Sequence, residues 1–290
     1  MTTRLAFPGF GGDLVVELSD SSSAQDVTAA CGLLLPGWRY GPAAADAAVD
    51  IAVSTTPTGY DATARSWPGG TALAGDVNNL ANALGGLLVD ALLARHPALC
   101  CLHAATVTFA TGAILCVGRS GAGKSTLALR FAARGHRILG DDRILVDTRR
   151  GEAYALGLAA KARLPLPPGD DLATFVEQRT TMSEGGVSYL NLSPAEQAPF
   201  GEHARISTIV LVERDPAMTS AAEFGRLAPG PLAAGLLGEA TTPGAAASVV
   251  GAMTRLVRNV AGRRLRFSQG DRAVDAMLRE LALDLSGQLI

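Results

Sequence analysis

The amino-acid sequence predicts an α/β protein in which a small β-rich N-terminal region precedes a larger α/β core. Three observations lead to this fold class. Before residue 67, short apolar runs alternate with clusters of Gly, Pro, Ser and Asp. A long run with helical periodicity follows, and a strand, a glycine-rich loop and a helix succeed one another between residues 113 and 134. We predict that residues 1–97 form the N-terminal region with its linking helix, and that residues 98–290 form the core.

The N-terminal elements are typical of short strands and turns. Apolar runs at residues 14–18 and 49–53 predict two strands. From residue 77 onward, apolar residues recur at helical spacing, and Asp76 stands where a side chain can cap the first turn. This helix is expected to end near Arg95, because a proline follows at position 97.

The core is predicted to alternate strands and helices. Strands are expected at residues 102–109, 113–117, 137–140, 144–146, 206–212 and 265–267. Helices are expected at residues 124–134, 246–260 and 271–283. The proline-rich stretch 164–171 predicts a loop or crossover.

Charge and hydropathy exclude several classes of partner. A net charge of −2 and a pI near 6.1 do not provide the basic surface that nucleic-acid binding needs, so we expect no nucleic-acid partner. No basic stretch with an apolar continuation marks a secretory signal. The apolar run at residues 84–93 is interrupted by Asp90, and we expect no membrane span and a cytoplasmic location.

The cysteines predict buried thiols. Their spacing fits neither a zinc site nor a disulfide framework, and two of them are adjacent. Unpaired cysteine is commonly buried in protein cores. The residues concerned are Cys31, Cys100, Cys101 and Cys116.

The strongest motif is a glycine loop that fits G-x-x-x-x-G-K-[ST] without a mismatch. Its residues, with the one that follows, are Gly118, Arg119, Ser120, Gly121, Ala122, Gly123, Lys124, Ser125 and Thr126. Such a loop turns backbone N–H groups toward phosphate oxygens, and the next helix directs its positive end at the same anion. Lys124 would neutralise β- and γ-phosphate charge, and the Ser125 hydroxyl would bind Mg²⁺. The motif predicts ATP binding, and an ordinary glycine turn is the alternative.

Two acids follow the next predicted strand. A helix and a turn separate them from Lys124, so Asp141 and Asp142 should return to the sheet edge that carries the glycine loop. One carboxylate can then hold the metal, for which we assign Ser125 and Asp142 as ligands, and the other can accept a proton. Capping of a turn is the alternative interpretation of the pair.

His103 lies one predicted strand before the glycine loop. A lone histidine in an apolar strand is more typical of a satisfied core residue than of a catalytic group. From the residues alone, both interpretations stay open.

Residues 103–146 resemble the catalytic core of the HPr serine kinases. The matching elements are His103-Ala104, the glycine loop, Arg134-Gly135-His136 and Asp141-Asp142-Arg143. The resemblance implies a phosphoenolpyruvate carboxykinase-like fold with a mixed sheet. It also implies that the two acids supply a metal ligand and the base for a substrate serine, and that His103 lies near the phosphates and metals. The catalytic residues expected on this basis are His103, Lys124, Asp141 and Asp142.

The layout of the chain is most similar to HPr-kinase-related proteins of lasso-peptide biosynthesis, which phosphorylate a serine of a precursor peptide. Residues 157–165 stand where HPr kinase/phosphorylases carry a Leu-Glu-Ile-Arg-Gly-type segment, which favours an acceptor other than HPr. Lys161 and Arg163 could contact phosphate or an acidic peptide end, although basic residues before a proline-rich loop are usually just solvated. HPr kinases are hexamers, so a homo-oligomer is a further expectation.

Three other functions stay open at this stage. HPr-type protein kinase activity and phosphorylation of a small molecule are alternatives within the kinases. An ATP-binding regulatory protein that hydrolyses ATP without a phosphate acceptor is the alternative from another class.

Overall fold

The computed structural model describes residues 2–19, 21–166, 171–241 and 246–286. Within these ranges the chain forms three β-sheets and seven helices. The two larger sheets contain both parallel and antiparallel strand pairs. The predicted α/β class with a mixed sheet is therefore confirmed for the described residues.

The N-terminal region is a six-stranded sheet with two helices. Its strands are β1 (Thr3–Phe7), β2 (Leu14–Leu18), β3 (Gly41–Pro42), β4 (Ile51–Thr56), β5 (Gly59–Ala64) and β6 (Ala72–Ala74). They are ordered β3-β1-β2-β4-β5-β6, with only the β2–β4 pair parallel among them. The helices are α1 (Ser21–Leu34) and α2 (Val77–Arg95).

Helix α1 was not predicted, although the sequence contains a signal for it. Val27, Ala30, Cys31 and Leu34 are buried and follow one another at helical spacing. Three serines at its start and a glycine near its end weaken the intrinsic preference for a helix. Packing of this face is what stabilises the helix, so the region is β-rich with one helix that the sequence pattern did not locate.

Helix α2 confirms the predicted cap and end. The Asp76 side chain accepts a hydrogen bond from the Asn79 backbone N–H at 2.7 Å, and the helix ends at Arg95. With 19 residues and a mean hydropathy of 1.3 over its most apolar window, α2 does reach the length and composition of a membrane span, contrary to expectation. However, 56 % of that window is buried, because the helix packs against α1 and β5.

The larger sheet is built from nine strands. They are β7 (Leu99–Leu102), β8 (Ala105–Phe109), β9 (Gly112–Val117), β10 (Arg137–Gly140), β11 (Ile144–Asp147), β12 (Glu152–Tyr154), β16 (His203–Arg214), β17 (Ala222–Arg226) and β18 (Ala261–Phe267). The third sheet, ordered β13-β15-β14, consists of β13 (Ala160–Arg163), β14 (Thr180–Glu184) and β15 (Val187–Leu190). The remaining helices are α3 (Lys124–Ala133), α4 (Asp171–Arg179), α5 (Pro229–Glu239), α6 (Ala246–Asn259) and α7 (Gly270–Ser286).

Strand β16 belongs to both halves of the nine-stranded sheet. Its first three residues pair with β12. Its later part runs parallel to β9 on one side and to β18 on the other. One long strand therefore joins the β7-β11-β12 group to the β10-β8-β9 group.

The predicted core elements are largely confirmed, with some omissions. Helices α4 and α5, strands β12, β13 and β17, and the β14–β15 hairpin were not predicted. The expected strand at residues 102–109 is interrupted at His103 and divides into β7 and β8. Of the expected loop at 164–171, residues 167–170 lie outside the described residues.

The hydrophobic core continues past the predicted domain boundary. Residue 97 falls between α2 and β7. Leu145, Leu156 and Tyr189 nevertheless pack in the same buried cluster as the N-terminal sheet. The indole of Trp38 also donates a hydrogen bond to the Leu156 carbonyl, so the N-terminal region is packed directly onto the core.

All four cysteines are buried thiols, as predicted. Burial raises the pKa of Cys31 and the pKa of Cys116 to about 12. Thiolates are the reactive form of cysteine.

We therefore expect no reaction of the native protein with Ellman's reagent at about pH 8, and four reactive thiols after unfolding in guanidinium. Rapid titration of any thiol in the native protein would contradict this packing.

Candidate active site

Strand register brings three connecting segments to one edge of the large sheet. Ala105, at the start of β8, pairs with Cys116 near the end of β9. Thr106 in turn pairs with Gly140 at the end of β10. Both pairings are antiparallel, so β9 and β10 end at the same edge. The segment before β8, the glycine loop and the two acids therefore meet there, as the sequence predicted.

The glycine loop connects β9 to α3 through backbone conformations that favour glycine. Gly118 has φ 152° and Gly123 has φ 94°. A Cβ atom at Gly118 would lie 2.4 Å from the Val212 carbonyl oxygen of β16. The close approach of the parallel strands β9 and β16 therefore requires glycine at the first position of the motif.

Lys124 is the first residue of α3, and its side chain is only 6 % exposed. The ammonium group donates hydrogen bonds to the carbonyl oxygens of Gly118 and, at 3.4 Å, Arg119. A third acceptor is the carboxylate of Glu239, with Nζ 3.3 Å from Oε2. An ammonium group has three N–H donors, so three protein groups surround a buried charge.

Glu239 was not predicted as a site residue. It ends α5 and is 8 % exposed. Its backbone carbonyl accepts a hydrogen bond from the N–H of His103 at 2.8 Å, which holds the end of α5 against the segment before β8. The sequence did carry a signal, because Glu239 is the single ionisable residue between positions 228 and 247.

His103 lies between two carboxylates. Its Nδ1 is 3.2 Å from Glu239 Oε2, and its Nε2 is 3.2 Å from Asp142 Oδ1. The side chain is about one-third exposed. Because its backbone N–H bonds to the end of α5, the strand predicted through this position is interrupted. His103 is thereby placed among the acids rather than in the core.

Asp142 has a left-handed backbone conformation, with φ 70°. Its Oδ2 lies 3.0 Å from Lys161 Nζ on β13, and its other oxygen faces His103. The hydrogen bond from His103 lowers the pKa of Asp142 well below the usual range; burial opposes this effect, and the charge of Lys161 adds to it. Asp142 is therefore ionised at neutral pH and partly exposed to the cleft.

Asp141 has the opposite environment. It is 2 % exposed, and burial raises its pKa, while a hydrogen bond from the Ser125 side chain opposes the shift. The Lys161 backbone N–H lies 3.3 Å from Asp141 Oδ2. Its Oδ1 is buried and has no hydrogen-bond partner among the described residues. Such an atom is costly to bury unless a further donor or a cation satisfies it.

One cleft of about 1030 Å³ is lined by His103, Lys124, Ser125, Asp142 and Lys161. Residues of the glycine loop and of α3 also line the cleft, as do Phe267, Ser268 and Gln269. Arg163 and Arg214 also line it. Both are exposed, and neither forms an ion pair with another residue that the structure describes.

The structure thus brings His103, Lys124, Ser125, Asp141 and Asp142 together. It places Asp141 beside Ser125, whereas Asp142 faces His103 and Lys161. Within the described ranges, no group of three or more His, Cys, Asp and Glu side chains is arranged to hold a metal ion by itself.

Comparison with known proteins adds little to this geometry. No family model matches the chain, and no curated protein matches it. Among solved structures, the chain is similar to the HPr(Ser) kinase/phosphatase from Coxiella burnetii, with 11 % sequence identity and a TM-score of 0.33. The similarity covers 65 % of this chain and 93 % of that one. At this TM-score the similarity supports no inference about function.

The two acids should differ in their effect on stability. Ionised Asp142 is stabilised in the folded protein, so we expect Asp142→Asn to lower the free energy of unfolding by about 1 kcal/mol at neutral pH. Ionised Asp141 is destabilised by burial, so we expect Asp141→Asn to leave the stability equal or higher. Urea unfolding in EDTA measures both.

The pH dependence follows from the same shifts. The contribution of Asp142 is present above its unfolded pKa of 3.8 and is lost as the pH falls toward its lower folded value. Burial of ionised Asp141 lowers the free energy of unfolding. This cost is present at high pH and is lost as the pH falls through the raised pKa of Asp141. Equal destabilisation by both substitutions at neutral pH would contradict these environments.

Proposed function

We propose that the protein is an ATP- and Mg²⁺-dependent kinase that transfers the γ-phosphoryl group to a serine hydroxyl of a peptide or small protein. The observation that carries the proposal is the placement of Asp142. Its ionised carboxylate faces the cleft at the sheet edge that holds the glycine loop and Lys124. Phosphoryl transfer depends chiefly on positioning and on stabilisation of charge, and these groups can supply both.

The nucleotide phosphates would occupy the glycine loop. Its residues 118–123 lead into the N-terminus of α3, where backbone N–H groups and the helix dipole favour an anion. Lys124 would exchange protein acceptors for phosphate oxygens. The volume of the cleft leaves room for both a nucleotide and part of an acceptor.

One observation indicates that Mg²⁺ fits the acids: the buried Asp141 Oδ1 has no hydrogen-bond partner in the part of the chain that the structure describes. Ser125 and Asp141 would hold the ion, Asp141 directly or through water, and nucleotide phosphates would complete its ligands, as is usual for Mg²⁺. When bound, the ion neutralises phosphate charge as it develops. This assignment replaces Asp142 of the sequence-based pair with Asp141, because Asp141 is the acid that contacts Ser125.

Asp142 would orient the acceptor hydroxyl and take its proton. The serine oxygen forms a bond to the γ-phosphorus, the bond from that phosphorus to the bridging oxygen breaks, and ADP leaves with the electron pair. His103 and Lys161 hold the carboxylate in place for this step. A low pKa suits a group whose main task is to position the hydroxyl.

The acceptor class rests on the sequence resemblance to HPr serine kinases and, in layout, to the kinases of lasso-peptide biosynthesis. We therefore propose a ribosomal precursor peptide as the acceptor, ahead of an HPr-like protein. Arg163 has no ion-pair partner among the described side chains and lies two residues from Lys161 on the same strand, so it could bind an acidic peptide end. The cytoplasmic location and a homo-oligomer belong to the same proposal.

The direct test is incubation with ATP labelled at the γ-phosphate, magnesium and serine-containing peptides or small proteins. We expect label on an acceptor serine, located by mass spectrometry. Label that appears only as free phosphate would favour the rival function, an ATP-hydrolysing regulatory protein, and would overturn the kinase proposal.

A matched pair of substitutions tests the role of Asp142. We expect Asp142→Asn to bind ATP within about threefold of the wild type and to transfer phosphate at least about 100-fold more slowly. The control is Asp147→Asn on β11, whose carboxylate accepts hydrogen bonds from the backbone of Arg149 and Arg150 in a turn. It should leave transfer unchanged, and full activity in Asp142→Asn would refute the assigned role.

A further inference from the structure

Glu239 is the buried carboxylate that contacts both the lysine of the glycine loop and His103. We propose that Glu239 is a positioning residue that serves as an internal counter-anion for Lys124, is displaced from Lys124 by nucleotide phosphate, and keeps its contact with His103. The inference rests on the proposed function for its kinase part, while its nucleotide-binding part can be tested separately.

The buried Lys124 ammonium group is already satisfied by protein acceptors. A buried ammonium group is costly unless it is paired and hydrogen-bonded. Here two backbone carbonyls and Glu239 Oε2 accept from it. A phosphate oxygen can therefore bind Lys124 only by replacing one of these acceptors. Glu239 is the one among them that carries a negative charge, so phosphate and Glu239 compete for the same cation.

Once displaced from Lys124, Glu239 still has a second donor within reach. The same oxygen that faces Lys124 lies 3.2 Å from His103 Nδ1. It can therefore turn from one donor to the other without leaving its position at the end of α5. Its backbone carbonyl keeps the hydrogen bond from the His103 N–H in either case.

The contact between Glu239 and His103 also affects the geometry at Asp142. An imidazole ring held through one nitrogen presents the other in a fixed direction. With Nδ1 held by Glu239, Nε2 faces Asp142 Oδ1 at 3.2 Å. Glu239 thus acts on the acceptor side of the cleft through His103 and on the nucleotide side through Lys124.

The experiment uses Glu239→Gln, which removes the charge and keeps the shape. Binding of ADP and ATP without magnesium is measured by calorimetry, so the readout requires neither metal nor turnover. We expect the nucleotide to bind about three- to tenfold more tightly, because Lys124 loses its competing anion. Phosphate transfer with magnesium should fall despite the tighter binding, because the carboxylate that holds His103 is lost.

Two controls separate the contact from a general effect of charge. Glu202→Gln removes an acid that pairs with Arg137 on the surface, and should leave nucleotide affinity unchanged. Asp142→Asn removes a negative charge in the same cleft that does not contact Lys124 in the structure. If Asp142→Asn increased nucleotide affinity as much as Glu239→Gln does, the effect would come from the total negative charge in the cleft. That result would overturn the proposal.

The remaining outcomes are equally decisive. Unchanged or weaker binding by a folded Glu239→Gln protein overturns the inference, and if that variant fails to fold, Glu239→Ala is measured against the same criterion. Tighter binding by the variant, with no acceptor labelled by the wild type, supports the counter-anion while refuting the kinase. If the wild type binds no nucleotide, both proposals fail.

Discussion

The register of β10, β8 and β9 is the constraint on which the candidate site depends. Both β9 and β10 pair antiparallel with β8, so they run in the same direction. Their last paired residues lie opposite neighbouring residues of β8, so both strands end at the same edge of the sheet. A shift of one residue in either pairing would turn the side chains of a strand to the opposite face. The side chains at the ends of β9 and β10 would then face differently. Strand β16 adds to this edge, because its parallel pairing with β9 carries Arg214 past the end of β9 into the cleft.

The same edge gathers charges that could not be buried separately. Lys124 and Glu239 are almost completely buried, and the charge of each partly balances the charge of the other. Asp142 and Lys161 form a second pair nearer the opening, and His103 joins the two pairs. Removal of one member would leave a buried or half-buried charge without its partner, which costs more than the loss of one surface ion pair. The network is thus stable as a whole and responsive to any anion that enters the cleft.

The two neighbouring acids show how strongly the local environment separates chemically identical groups. The backbone turns at Asp142, where φ is 70°, so the two side chains face different surroundings. Asp141 is enclosed beside Ser125, and burial raises its pKa. Asp142 faces two donors, and the hydrogen bond from His103 lowers its pKa. This separation is what allows one acid to be proposed for the metal and the other for the acceptor hydroxyl.

The sequence by itself determined the α/β class, the strand, loop and helix that carry Lys124, the cap at Asp76 and the burial of the thiols. Each of these follows from spacing within a few turns of chain, where local periodicity and capping chemistry are sufficient. Only the tertiary structure decided the partner of Lys124, the break in the strand at His103 and the different environments of Asp141 and Asp142. The end of α5 lies more than a hundred positions after Lys124 in the chain, and local patterns carry no information about which distant residues meet. That contact decides where the buried charge is balanced.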